Sequence, residues 1–270
     1  MESKLTIKYI VEPDEKTLAR RAARFFVEAV EAAVARRGRA RIAISGGSTP
    51  KAAFQLLSDP GESWLARMPW QKIELYWVDE RCVPPSDPES NYCMTREALL
   101  DPLAAAGGAI PEAQIHRMEG ELEPEVAAAR YESLLRNTFR LEGAELPRFD
   151  LVALGMGADG HTASIFPHTE AIHDSTNLVV ANRVAEKDAW RITLTWPVIN
   201  QASEVFFLVA GAGKSSILNQ VFTGPRNVEQ LPSQLIRPAG GILTLILDHA
   251  AAALLPPPGQ EGCGAIERER

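Results

Sequence analysis

Apolar residues occupy every second position from Leu5 to Val11, the period of a half-buried strand. From Asp14 the period changes to helical spacing and holds to about Arg37, with Gly38 placed to end the helix. A short apolar run, Arg41-Ile42-Ala43-Ile44, reads as a strand that enters Ser45-Gly46-Gly47-Ser48-Thr49-Pro50, and a helix follows from about Lys51 to Leu57. Ile73 to Val78 reads as a strand ending in Asp79-Glu80-Arg81 and a Pro-rich loop. A helix follows Asn91, a Gly-rich loop spans Pro102 to Pro111, and Pro124 to Leu141 has helical period. Phe149 to Leu154, Val205 to Val209 and Ile242 to Leu247 are further strands, each followed by glycine or by a helix start. Strands alternating with helices predict an α/β fold, a parallel sheet with helices on both faces. The apolar runs suit strands buried on both sides. With no repeat and no linker between units, the reading is one domain over 1–255. The tail 256–270, beginning Pro-Pro-Pro-Gly-Gln-Glu-Gly, is expected to be disordered.

Composition narrows the function classes. The chain has 270 residues, 46% hydrophobic and 23% charged, an ordinary globular balance. Its formal net charge is -7, and the basic residues form no run, which argues against nucleic acid as a partner. Three cysteines, Cys82, Cys93 and Cys263, match neither a disulfide framework nor a zinc spacing. No segment approaches the ~20 apolar residues of a membrane span, and the first residues do not read as a signal peptide. The expectation is a cytoplasmic protein without membrane attachment.

Four segments carry the chemistry: Ser45–Thr49, Asp79–Arg81, Gly155–His161 and Gly211–Lys214. Each follows a predicted strand, and open parallel sheets bind ligands beyond the C-terminal strand ends. In the first, Gly46 and Gly47 let backbone approach a ligand, the next helix offers free N–H groups, and Ser48 and Thr49 add hydroxyls. That set makes a phosphate cradle; the plain alternative is a tight turn with Ser48 or Thr49 as N-cap. The loop lacks the Gly-Lys-Ser/Thr ending of a nucleotide P-loop, and no dinucleotide fingerprint is present. In Gly155-Met156-Gly157-Ala158-Asp159-Gly160-His161, Asp159 and His161 lie two residues apart, so both can face one side of an extended loop. His161 is the candidate catalytic base and Asp159 its orienting carboxylate. Arg81, Lys214 and Arg191, the last in the alternating stretch Trp190 to Thr195, are candidate cations for an anionic ligand; each alone also fits a solvated surface residue. His168 and His173 share no metal spacing with His161, and Pro167 interrupts any helix there, so no metal is expected. No nucleophile elbow is present and no cysteine has a nucleophile context, which leaves water as the nucleophile.

Taken together, Ile44–Pro50, Trp77–Pro84, Ser90-Asn91-Tyr92, Gly155–Pro167, Arg191–Thr195, Ala210–Lys214 and the stretch from Leu231 to Asp248 resemble the 6-phosphogluconolactonase family, in order, from about Ile42 to Ala250. The resemblance implies a Rossmann-like fold shared with sugar-phosphate isomerases and deaminases. It implies hydrolysis of 6-phospho-glucono-1,5-lactone to 6-phosphogluconate, the second step of the oxidative pentose phosphate pathway, without a cofactor. Ile165 and Trp196 depart mildly from the family pattern. Glucosamine-6-phosphate deaminase shares the Ser-Gly-Gly-Ser-Thr-Pro and glycine-histidine loops. Its second loop continues to an Asn-Glu-Pro ending, where this chain has Ile165-Phe166-Pro167, and it usually carries an aromatic residue at Arg81. Both differences favour the lactonase. A non-catalytic sugar-phosphate sensor is the other alternative; its DNA-binding module has no counterpart before Leu5, and the acidic charge disfavours it.

Overall fold

The computed structural model describes residues 5–257 and 263–268. Its strands are β1 (Leu5–Glu12), β2 (Ala40–Ile44), β3 (Ile73–Trp77), β4 (Asp79–Arg81), β5 (Ile115–His116), β6 (Leu151–Leu154), β7 (Val179–Val184), β8 (Ala189–Leu194), β9 (Glu204–Val209), β10 (Ile242–Asp248) and β11 (Cys263–Arg268). Its α-helices are α1 (Glu15–Arg37), α2 (Ser48–Ser58), α3 (Trp64–Arg67), α4 (Asn91–Thr95), α5 (Asp101–Ala105), α6 (Pro124–Phe139), α7 (Trp196–Asn200), α8 (Ser215–Thr223) and α9 (His249–Ala252).

Local sequence explains where the longest helix starts. Asp14 accepts a 2.8 Å bond from the Thr17 N–H, and the Thr17 hydroxyl accepts from the Asp14 N–H, a reciprocal cap that satisfies two otherwise orphaned donors. Residues 102–105, expected in a loop, are helical instead. The helix from Asn91 runs on through a π-turn at Arg96–Leu100 into α5, whose second residue, Pro102, has no N–H to donate, and the regular pattern changes just before it.

Eight strands form one sheet in the order β11-β1-β10-β9-β6-β2-β3-β5. All pairings in it are parallel except β11 against β1. Apolar cores lie on both faces. Along β6, Val152 and Leu154 enter one core while Leu151 and Ala153 enter the other, and Phe206 and Phe207 of β9 divide likewise. That two-sided burial is why these strands read as unbroken apolar runs.

The tail needs correction. Cys263–Arg268, expected to be disordered with the rest of 256–270, forms β11 on the edge of β1, with Tyr9 opposite Gly264 and Ile7 opposite Ile266. Gly264 lies against the Tyr9 ring, where a Cβ would fall 2.1 Å from the ring, and Ile266 packs on the core. Composition hid this because the apolar anchor is a single residue, Ile266, two positions after a glycine. Residues 258–262 and 269–270 of that tail lie outside the described residues.

A second, antiparallel sheet, β4-β8-β7, stands beside the first. Its register sets Arg81 directly opposite Arg191. In the large sheet the connections change direction between β2 and β6: β2 leads outward to β3, whereas β6 leads toward β9 and β10. The loops after β2, β3, β6 and β9 therefore diverge around one crevice, which the three-stranded sheet borders.

Candidate active site

The crevice is a cleft of about 320 Å³. Gly46, Gly47, Ser48, Thr49, Arg81, His161, Arg191 and Lys214 all line it. Asp159 is not part of the lining but is bonded to His161. All four segments singled out in the sequence thus contribute to this cleft. His168 and His173 do not line it, and His173 sits at the surface facing Glu229.

His161 stands on a tightly tied loop. The Gly157 N–H donates to the His161 carbonyl at 2.9 Å, and the Thr162 hydroxyl closes back on the Gly155 carbonyl at 2.9 Å. From outside the loop, Ser233 clamps the Gly160 carbonyl with its N–H at 3.0 Å and its hydroxyl at 2.8 Å. His161 Nδ1 lies 2.5 Å from Asp159 Oδ1, and the His161 N–H reaches the same oxygen at 3.2 Å. Burial raises the Asp159 carboxyl, but the hydrogen bond and charge of His161 outweigh it and hold the group at about 2. Asp159 therefore stays an acceptor at neutral pH. Nδ1 carries the proton toward it, and Nε2 is left as the basic nitrogen. The imidazole is 23% exposed and stacks on Phe166, centroids 3.9 Å apart and planes 24° apart, so its orientation is fixed in two directions.

This geometry has a steric condition. A Cβ on Gly157 would stand 2.0 Å from His161 Nδ1 and 2.3 Å from Asp159 Oδ1, so only glycine leaves room for the pair.

The opposite wall is a cradle at the start of α2. Gly47 holds φ of 115°, a region open to glycine, and no side chain caps the helix that follows. Asn91 fills the space behind Gly46, where a Cβ would meet Asn91 Oδ1 at 1.8 Å. Asn91 is in turn placed by Glu80. This carboxylate, 2% exposed, accepts from the N–H groups of Arg81, Asn91 and Tyr92 at 2.7, 2.7 and 2.8 Å and from the Ser90 hydroxyl at 2.9 Å. Burial pushes the Glu80 carboxyl up, and these donors pull it back. The Asp79-Glu80-Arg81 segment is thus a structured strand, β4, whose buried glutamate organises the start of α4.

The cations form two groups. Arg81 and Arg191 face each other across the β4–β8 pair, and Arg191 is depressed by burial and by the charge of Arg81. Two guanidiniums that repel one another can together hold a multiply charged anion. Lys214 donates to the Met156 carbonyl at 2.8 Å; burial lowers its ammonium and Asp159 raises it. Sequence reasoning missed Lys187, which also lines the cleft, its Nζ 5.5 Å from the Phe166 ring centre. Nothing in the pattern around Lys187 marks it, because the turn joining β7 to β8 is what brings it in. Ser164, Phe166, Asn91 and Asp79 also line the cleft. They stood within the motifs but were given no role from sequence.

Burial pushes the Cys82 thiol up to about 11, which keeps it protonated and inert beside Arg81. Among the described residues no cluster of three or more histidine, cysteine, aspartate or glutamate side chains is arranged for a metal ion. No helix among them is long and apolar enough to cross a membrane.

Residues 13–245 match the family described as glucosamine-6-phosphate isomerases/6-phosphogluconolactonase. The chain belongs to this family. A protein of Nostoc sp. (strain PCC 7120) named 6-phosphogluconolactonase is 42% identical over 247 residues, covering 91% of this chain and 97% of its own. One of Haemophilus influenzae with the same name is 38% identical, covering 79% and 87%. Among solved structures, 6-phosphogluconolactonase from Trypanosoma cruzi superposes with a TM-score of 0.79 at 31% identity, covering 94% of this chain and 98% of that one. A monomeric glucosamine-6-phosphate deaminase shares the fold at 17% identity with a TM-score of 0.73.

Proposed function

We propose that this protein hydrolyses 6-phospho-D-glucono-1,5-lactone to 6-phospho-D-gluconate, the second step of the oxidative pentose phosphate pathway, with His161 activating the attacking water. The observation that carries the reading is the His161–Asp159 pair in a cleft otherwise rich in cations. The acidic chain and its free cysteines, Cys82 and Cys93, suit a reducing, cytoplasmic setting.

A lactone is an internal ester. Water attacks its C1 carbonyl as Nε2 of His161 takes the water proton, and the positive imidazolium forms against the Asp159 carboxylate. The carbonyl oxygen gains charge, and cleft donors stabilise it. His161 then returns the proton to the ring oxygen as the C1–O bond breaks. Phe166 keeps the ring plane aligned through both transfers. The phosphate lies at the far end, held by Arg81, Arg191 and the start of α2 with Ser48 and Thr49. Phe166 also bears on the rival reaction. It occupies the neighbourhood where the deaminase loop carries its glutamate, and an apolar ring stacked on the imidazole cannot relay a proton.

The test supplies the lactone and, separately, glucosamine 6-phosphate after chelator treatment. Lactone consumption above the spontaneous rate is expected, and ammonia release would instead support the deaminase. Within the same assay, Arg81→Ala and Lys214→Ala are expected to raise KM by about 10-fold or more, the scale of a charge-assisted contact. Arg81→Lys should restore Arg81→Ala only in part, because lysine lacks the two-point fork. Melting temperatures should shift little. Wild-type kinetic constants in Arg81→Ala would place the phosphate elsewhere, and in Lys214→Ala would remove that ammonium from the substrate contacts.

A further inference from the structure

One acidic group in the cleft takes no part in the mechanism above. Asp79, 6% exposed, lines the same cleft as Arg81, Lys187, Arg191 and Lys214. A buried carboxylate there opposes the binding of a phosphate dianion, so its presence requires a compensating use. Its charge raises the neighbouring Arg191, yet it forms no ion pair among the described residues.

Its partners are neutral donors. The Ser164 hydroxyl donates to Oδ2 at 2.6 Å. Asn91 Nδ2 donates to the Asp79 backbone carbonyl at 2.8 Å and reaches Oδ1 only at 3.4 Å. A carboxylate has about four acceptor positions, so Oδ1 in particular is under-used. Anchoring the catalytic loop does not explain the group. The Ser164 backbone is already held by its N–H to Thr193 Oγ1 at 3.2 Å and by Asn182 Nδ2 to its carbonyl at 2.8 Å. The Ser164–Asp79 bond therefore aims the carboxylate more than it anchors the loop.

We propose that Asp79, oriented by Ser164 and Asn91, is a specificity residue that accepts a hydrogen bond from a ring hydroxyl of the sugar-phosphate lactone. It selects polyhydroxylated substrates over deoxygenated ones. An acceptor-only group suits this task, because a ring hydroxyl can donate and the phosphate and the developing oxyanion cannot. The proposal rests on the lactone-hydrolase reading; wild-type turnover of the parent lactone, measured in the same series, reports on that reading by itself.

The experiment compares 6-phosphogluconolactone with its 2-, 3- and 4-deoxy analogues in the wild type, Asp79→Asn and Ser164→Ala. Wild-type kcat/KM is expected to fall about 10- to 100-fold for one deoxy lactone, the scale of a hydrogen bond to a charged acceptor. Asp79→Asn should lose most of that discrimination, with kcat/KM lowered for the parent and nearly unchanged for that one analogue. Ser164→Ala, which keeps the carboxylate but frees its orientation, should lose part of it. Melting curves accompany each variant, and discrimination is a ratio within one protein, so a merely weakened fold does not imitate the result. Equal loss on all four lactones in Asp79→Asn, or a wild type that treats them alike, overturns the proposal and leaves Asp79 a structural residue.

Discussion

Replacing His161 with alanine is expected to lower kcat for the lactone by about 10²–10⁴-fold, the range for loss of a general base. The size follows from how completely the structure commits this one ring. Nδ1 is occupied by Asp159 at 2.5 Å, one face is covered by Phe166, and Nε2 remains for chemistry. Among the described residues no second histidine lines the cleft, and Cys82 is held protonated, so neither another imidazole nor a thiolate takes over the proton. Binding should suffer far less, because the proposed phosphate contacts come from β4, β8 and the start of α2. The measurement is kcat at saturating lactone, corrected for spontaneous opening, beside His249→Ala, an exposed residue at the start of α9 outside the cleft. Near-normal turnover in His161→Ala would remove the base assignment.

Gly157→Ala is the second large effect, and it acts without touching a functional group. The added methyl would lie 2.0 Å from Nδ1 and 2.2 Å from Cε1 of His161 and 2.3 Å from Asp159 Oδ1. Those atoms must move, and a displacement near 1 Å at a reacting group costs about 10²-fold. Gly157 has no positive φ, so alanine keeps the backbone and the damage stays with the side-chain pair. The double variant His161→Ala, Gly157→Ala should be no worse than His161→Ala alone, because groups acting as a unit are not additive. Gly240→Ala, where nothing lies within 4 Å of the new methyl, is the matched control. An active Gly157→Ala with normal kcat would show that the close packing of this pair is irrelevant to turnover.

Much of this was legible in the sequence, for a physical reason. β2, β6 and β9 are buried on both faces, so their apolar runs are unambiguous, and the glycines after them mark where backbone must turn or approach a ligand. His161 and Asp159 could be paired because they are neighbours in one loop. What stayed hidden depends on contacts between distant segments. The β7–β8 hairpin brings Lys187 into the cleft, and only the β4–β8 register sets Arg81 against Arg191. Glu80 carries no role of its own in the sequence, and only its burial and four donors show it organising the start of α4. β11 is short and glycine-bearing, so its fit against Tyr9 has no compositional signature. Ser233 shows its purpose only as a clamp on Gly160, across 73 positions of chain.

The most direct test of the central claim is a crystal structure with 6-phosphogluconate bound. A C1 carboxylate oxygen is expected within about 2.6–3.2 Å of His161 Nε2, the reach of a working base. The phosphate is expected at the other end of the cleft, against Arg81, Arg191 and the first turn of α2. A product bound in reverse, with its phosphate on His161 and its C1 carboxylate beside Arg81, would contradict it.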